Sequence, residues 1–490
     1  MLRKVLIANR GEIAIRIART LREQSVASVA VFTEVDSQSP FIGFTDEAVA
    51  LGEEPRAYLD VERIVNAARQ SGCDGLHPGY GFLSENAELA EACARAGIHF
   101  IGPPASAIRA MGSKQRARDA MQRAGVPIVP GGGADTLEQA EHTANAIGYP
   151  VLVKATDGGG GKGMRRVEKP EDLAAALTRT RSEALAAFGS DRVHLEKAID
   201  LPRHVEIQIL GDQHGTIVPL YERDCSLQRR HQKILEETPC PALPAETLAQ
   251  MSRVAVAGAR SLGYFSAGTF EFLLDQQGHF YFLEMNTRLQ VEHPITELVT
   301  GLDLVEQMLR VAAGERIAEL PPERRGAAIE VRVYAEDPSV GFLPSPGVIR
   351  ALQEPAGPFV RVDSGVALGT TISTAYDPLL AKLSVWGSDR RAAIVRLARA
   401  LEEYSVLGVT TNLGFLRRLL QDPEFLAGEY DTQFVDRRVE LRAEPALDAQ
   451  RQTDWMAALA ALEFSAPTLT AAPDTGALSP WVLAERSRLR

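Results

Sequence analysis

The sequence predicts a multidomain protein of mixed α/β and α+β class, opening with a doubly wound parallel sheet and continuing through β-hairpins. Three observations predict it. The 490 residues exceed one compact core, since single domains usually run to about 100–200 residues. Short apolar runs alternate with helical patterns up to about residue 112. From about residue 200 the pattern changes to paired strands joined by tight turns.

In order along the chain, Val5–Ala8 reads as a buried strand, Asn9-Arg10-Gly11-Glu12 as a turn, and Ile13, Ile17 and Leu21 recur at helical spacing. Val29–Phe32 is a second strand and Ile98–Gly102 a later one. Strands separated by helices imply a parallel sheet, whose open end is a place for ligands. Residues 113–200 read as a helix–strand segment holding a glycine-rich run. Val205, Ile207 and Ile209 then alternate with Glu206 and Gln208 before a turn at Gly211-Asp212. A second hairpin joins Thr269–Leu274 to Phe280–Asn286. Beyond about residue 329, short strands precede helical patterns at Arg390–Leu401 and Leu413–Leu420. Ala471–Pro480 is small, polar and proline-bearing, and reads as linker or tail. The expected divisions are 1–112, 113–320, 321–445 and a tail over 446–490.

Composition excludes several classes. Lys plus Arg number 53 against 64 for Asp plus Glu, a net charge of −11, which argues against a general nucleic-acid binder. No stretch reaches the roughly 18–20 apolar residues of a membrane span, and the apolar run after Met1 is too short for a signal peptide. Cys73, Cys93, Cys225 and Cys240 form no C-x-x-C pair, so they read as reduced thiols of a cytoplasmic protein.

Four stretches carry chemistry. Lys154-Ala155-Thr156-Asp157-Gly158-Gly159-Gly160-Gly161-Lys162-Gly163 follows the strand Pro150–Val153. Its glycines let backbone N–H groups turn toward an anion, and two lysines add charge, so it reads as a phosphate flap rather than a plain surface loop. It matches neither the Walker loop nor the dinucleotide fingerprint. In the second hairpin, a turn centred on Gln277-Gly278 pairs Asp275 with Phe280, Leu273 with Phe282, Glu271 with Glu284 and Thr269 with Asn286. Glu271, Glu284 and Asn286 then share a face with Leu273, Phe280 and Phe282. Opposed carboxylates repel, which a divalent cation between them would relieve. Third, Arg288, Gln290 and Glu292 point one way if Asn286–Pro294 is extended. Arginine can clasp a small oxyanion, Gln290 can orient it, and Glu292 can take its proton. Fourth, Glu222–Lys233 is too polar and basic to read as a buried strand, and suits the lining of an anion cleft.

Together these stretches resemble the biotin carboxylases, a branch of the ATP-grasp superfamily found in biotin-dependent acyl-CoA carboxylases. The resemblance rests on Ile7–Ala14, His77–Asn86, the glycine loop, Pro202–Gln208, Glu222–Lys233, Glu284–Pro294, Phe342–Gly347 and Tyr376-Asp377-Pro378, in order over residues 1 to about 440. It implies an N-terminal doubly wound domain, an ATP-grasp domain with a mobile lid near 130–200, and a C-terminal biotin carboxylase domain. It also implies a reaction. ATP phosphorylates bicarbonate to carboxyphosphate, which yields CO₂ and phosphate; phosphate deprotonates the biotin ureido nitrogen, and the enolate attacks CO₂.

Carried onto this chain, the resemblance implies that Lys114, Lys154, Gly159, Gly160, Gly161, Glu196, Lys197, His204, Gln228 and His231 hold ATP. Glu271, Glu284 and Asn286 would ligate Mg²⁺ or Mn²⁺. Lys233, Arg288, Gln290, the Val291 backbone and Glu292 would hold bicarbonate, Glu292 as base. Arg332 would stabilise the biotin enolate, beside Tyr80 and Gly81. The catalytic set is thus Lys233, Arg288, Glu292 and Arg332. No Ala-Met-Lys-Met occurs, so biotin would arrive on a carrier domain or protein, with a carboxyltransferase as further partner and a homodimer or higher assembly implied. Another ATP-grasp carboxylate–amine ligase, or a silent scaffold recruiting a biotin carrier, is the alternative.

Overall fold

A computed structural model describes residues 2–156, 164–230 and 232–442. Gly159, Gly160, Gly161, His231 and the 446–490 tail therefore lie outside the described residues.

Short apolar segments near the N-terminus pair as five parallel strands: β1 Lys4–Ile7, β2 Ala27–Thr33, β3 Glu47–Gly52, β4 Gly75–His77 and β5 His99–Phe100. Their order, β3-β2-β1-β4-β5, reverses direction at β1, so a crevice opens beyond the ends of β1 and β4. Asn9, just after β1, bridges it: Nδ2 donates to the carbonyls of Pro78 and Tyr80, 2.7 Å each. Gly79 has φ +63, and a Cβ there would meet the Asn9 amide at 2.9 Å, so the residue has to be glycine. The helix Gly11–Glu23 starts at this crevice and buries Ile13, Ile17 and Leu21.

A smaller antiparallel sheet follows, formed by β6 Gly131–Gly133, β7 Val151–Ala155, β8 Met164–Val167 and β9 Val193–Lys197 in the order β6-β9-β7-β8. The largest sheet has eight strands. It comprises β10 Arg203–Gly211, β11 Ile217–Arg229, β12 Gln232–Thr238, β13 Ser266–Leu274, β14 Phe280–Asn286, β15 Ala327–Tyr334, β16 Val360–Ser364 and β17 Leu379–Gly387. Their order is β14-β13-β10-β11-β12-β15-β17-β16, so the hydrogen-bonded ladder runs unbroken from the central segment into the C-terminal one. Ile329, Val331, Val333, Leu383 and Val385 pack one face against the helix Arg390–Glu403.

Two expectations are corrected. The hairpin register holds at Glu271↔Glu284 and Thr269↔Asn286, but toward the turn it slips by one: Phe272 faces Phe282 and Leu274 faces Phe280. Asp275 causes part of the slip. Its N–H donates to His279 O at 2.9 Å, and its carboxylate accepts from the N–H groups of Gln277 and His279, closing a longer turn. Leu283 is left unpaired as a bulge, which turns Phe282 to the opposite face from Glu284. Phe280 and Phe282 then pack with Phe270 and Phe272 in the core, not beside the carboxylates. The second correction concerns Glu222–Arg229, which is buried strand despite its polarity. Burial is tolerated because the charges are matched across the sheet. Arg223, wholly buried, donates to Glu206 Oε1 (2.5 Å), Gln208 Oε1 (2.7 Å), Thr296 Oγ1 (2.8 Å) and Gln290 Oε1 (2.5 Å).

Candidate active site

The bulge and the cross-strand charges build one polar layer on the face of the large sheet opposite the aromatic core. At its centre, Lys233 on β12 reaches three carboxylates: Glu206 Oε2 at 2.7 Å, Glu271 Oε1 at 2.9 Å and Glu292 Oε1 at 2.6 Å. Burial opposes the ammonium charge, but Glu206, Glu271 and Glu292 outweigh it and hold Lys233 protonated. Glu292 answers the same logic. Burial would push its carboxyl up, yet Lys233, Arg332 and Arg223 hold it well below the usual carboxylate range.

Arg332 on β15 joins this centre from the C-terminal segment. Its Nε and Nη2 lie 2.8 and 2.6 Å from Glu236 Oε1, and Nη2 donates to Glu292 Oε2 at 3.0 Å. Glu271 is held by Asn286 Nδ2 and Gln290 Nε2, both at 2.8 Å, and His204 Nε2 lies 2.9 Å from its other oxygen. Burial raises Glu271, but Lys233 and His204 draw it well below its usual value. Glu284, opposite it, is exposed and has neither hydrogen bond nor ion pair among the described residues. An all-oxygen set of two carboxylates and the Asn286 amide, one carboxylate lacking a cation, fits a hard divalent ion.

The extended run expected for Arg288–Glu292 is instead a loop entering the helix His293–Thr300, with Glu292 as N-cap. Gln290 and Glu292 turn inward to Glu271 and Lys233, while Arg288 donates from Nε to Glu85 Oε2 (3.0 Å) and from Nη2 to Asn286 Oδ1 (2.7 Å). The helix start, not strand alternation, aims Glu292. The Val291 carbonyl accepts from Lys382 Nζ at 2.8 Å.

Of the residues the resemblance assigned to nucleotide, His204 and Gln228 join this layer, Gln228 standing in register with Lys233. Lys154 and Glu196 meet on one face of the small sheet, and Lys197, the next residue along, turns to the other face. Glu196 takes Lys154 Nζ at 2.5 Å and Arg118 Nη1 at 2.9 Å, and Lys197 Nζ donates to the carbonyls of Gly148 (3.1 Å) and Tyr149 (2.8 Å). Lys114 begins the helix Lys114–Arg123. Tyr80 reaches the layer through its hydroxyl on Glu12, next to Gly81 at φ +69. Lys382 Nζ, 3.4 Å from Glu12, continues the path to Val291.

Sequence reasoning passed over Glu12, Arg118, Glu206, Arg223, Glu236, Glu330 and Lys382. A signal existed for Lys382, a lone charge in the apolar strand Leu379–Gly387, and for Glu206 between Val205 and Ile207. None existed for Glu236, whose partner lies 96 residues away.

Fold and polar layer together define an ATP-grasp type of enzyme on a doubly wound N-terminal segment. Three family descriptions match the chain in turn: "Biotin carboxylase, N-terminal domain" over residues 1–108, "Carbamoyl-phosphate synthase L chain, ATP binding domain" over 113–320 and "Biotin carboxylase C-terminal domain" over 330–437. The chain belongs to the biotin carboxylase family. It is 49% identical over 438 residues to a biotin carboxylase of Nostoc, covering 88% of this chain and 98% of that protein. It is also 49% identical over 442 residues to the mitochondrial methylcrotonoyl-CoA carboxylase subunit alpha of rice, covering 89% of this chain but only 60% of that relative's length. Among solved structures, the biotin carboxylase domain dimer of Hydrogenobacter thermophilus 2-oxoglutarate carboxylase, with MgADP, ADP and bicarbonate, superposes at TM-score 0.85 with 43% identity. That match covers 91% of this chain and 99% of that one.

Proposed function

We propose that this chain carries out the ATP-dependent carboxylation of biotin with bicarbonate, the first half-reaction of an acyl-CoA carboxylase. The observation that carries the reading is Glu292, held ionised between Lys233 at 2.6 Å and Arg332 at 3.0 Å. An ionised carboxylate can accept a proton from bicarbonate, and two cations beside it can hold the resulting oxyanion. Arg288, Gln290 and the Val291 backbone complete the bicarbonate site. Arg332, with Tyr80 and Gly81, takes the biotin ureido group and steadies its enolate oxygen. ATP is held by Lys114, Lys154, Glu196, Lys197, His204 and Gln228, with Gly159, Gly160, Gly161 and His231 assigned to it by the resemblance alone. Glu271, Glu284 and Asn286 hold Mg²⁺ or Mn²⁺, which supplies charge neutralisation for the nucleotide phosphates.

The three functional divisions are 1–112, 113–320 with a lid near 130–200, and 321–445. Biotin arrives on a carrier domain or protein, and a carboxyltransferase consumes the product. The mature assembly is a homodimer or higher, as in the Hydrogenobacter relative. Four buried, unpaired cysteines suit a reducing cytoplasm. Among the described residues no helix is long and apolar enough to cross a membrane. The test is ADP release with Mg²⁺ and bicarbonate, with and without biotin. Bicarbonate-dependent cleavage stimulated by biotin is expected; cleavage indifferent to biotin but stimulated by an amine would refute the reading.

A further inference from the structure

Behind Arg332 lies a second carboxylate site. Glu236 on β12 and Glu330 on β15 stand directly opposite each other in antiparallel register, so their side chains share a face with Cβ atoms about 4.5–5.5 Å apart. Both are wholly buried. Each has one oxygen engaged: Glu236 Oε1 with Arg332, and Glu330 Oε2 with Ser384 Oγ at 2.6 Å. Each also has one buried oxygen, Glu236 Oε2 and Glu330 Oε1, without a hydrogen-bond partner among the described residues. Two facing carboxylates with one orphan oxygen apiece cannot both stay ionised cheaply. One proton between them turns one orphan acceptor into a donor for the other.

We propose that Glu236 and Glu330 share a single proton, and that this pair is the positioning device that leaves Arg332 free to hold the substrate anion. The role assigned to Arg332 rests on the reading above; the shared proton does not. With one proton the pair carries a single negative charge, and Arg332 keeps attraction to spare. Without it, two charges draw the guanidinium back toward the sheet.

The groups around the pair agree. Burial raises the Glu236 carboxyl to about 7, Arg332 and Lys233 pulling down while Glu292 pushes up. Burial likewise raises Glu330 to about 8, with Lys382, Ser384 and Arg332 lowering it and Glu236 raising it. From the covering helix His293–Thr300, burial keeps His293 neutral, and Glu297 is occupied by Arg16 (2.9 Å) and Arg361 (2.7 Å). Asp363 on β16 is tied to Arg361 at 2.8 Å. The opposite face of the sheet is apolar. Both values are raised above the ordinary carboxylate range, so the shared proton is present at neutral pH and lost as pH rises beyond about 8.

Infrared titration of the full chain from about pH 5 to about pH 9 reads the proton directly. A protonated-carboxyl absorption disappearing on the alkaline side is expected, diminished in both Glu236→Gln and Glu330→Gln. In Glu330→Gln the new amide donates to Glu236 in place of the shared proton. The KM for biotin should then stay within about threefold of the parent at neutral pH and lose its alkaline rise. Glu236→Gln loosens Arg332 and should raise biotin KM about ten- to a hundredfold, while bicarbonate-dependent ATP cleavage without biotin persists. An absorption unchanged in both variants overturns the shared proton. An alkaline KM rise retained in Glu330→Gln overturns the positioning role. Wild-type protein that shows the absorption but carboxylates no biotin would sink the functional reading alone.

Discussion

Replacing Lys233 with methionine keeps an unbranched side chain, one atom shorter, and removes its charge. The ammonium now joins Glu206, Glu271 and Glu292 at 2.7, 2.9 and 2.6 Å. Removing one partner of a buried ion pair costs about 3–5 kcal/mol. Here each carboxylate keeps a second partner: Arg223 for Glu206, His204 for Glu271 and Arg332 for Glu292. The lower end, about 3 kcal/mol at neutral pH, is therefore expected. One charged hydrogen bond is worth about 1.5–3 kcal/mol, or about one to two pKa units, so Glu292 rises by that much toward the ordinary carboxylate range. Glu271 and Glu292 are depressed in the folded chain, so their stabilisation is complete above the unfolded value of 4.5 and fades as pH falls through the folded values. The deficit of Lys233→Met should accordingly be full at neutral pH and shrink on acidification below about pH 4. Urea unfolding followed by circular dichroism across that range measures both. A variant as stable as the parent at neutral pH, or a deficit that does not narrow in acid, would refute the charge balance drawn around Lys233.

Arg223→Met should cost more than Lys233→Met, toward about 5 kcal/mol, because the guanidinium is wholly buried, its loss strips partners from Gln208, Thr296 and Gln290, and Glu206 keeps only Lys233; paired urea curves give the ranking. Glu284→Gln removes an unpaired carboxylate, so folding stability should hold within about 0.5 kcal/mol while Mn²⁺ affinity, read by water-proton relaxation, falls at least about tenfold. Unchanged Mn²⁺ affinity would remove Glu284 from the ligand set.

Apolar runs at Val5 and Val29 were enough to read the parallel sheet, since a strand buried on both faces shows in local composition alone, whereas the run at Ile98 holds only the short, partly exposed edge strand His99–Phe100. The pairing of Glu271 with Glu284 was also legible, because alternation is counted over a few residues. The slip at Leu283 was not: a bulge leaves no mark in an apolar-polar pattern, and counting from the turn puts Phe282 on the wrong face. Glu222–Arg229 was misread for another reason. Its charges cancel against Glu206, Glu336 and Arg324, from strands and loops distant in sequence, so composition shows the cost of burial and hides what offsets it. Arg288 and Glu292 were legible as residues, but their directions depend on where a helix begins.

The ladder from β12 to β15 joins Leu235 to Val331 and Thr238 to Ala328, across the point where sequence families divide the chain. A fragment ending near residue 320 would therefore expose β12 as a long raw edge, and one starting there would expose β15. Such edges recruit other strands, so either piece made alone should aggregate rather than fold. The units in which this family is written along the gene are not units that can be cut apart in the test tube, and any fusion or split reporter has to enter at a turn such as Asp212–Gly215, clear of that seam.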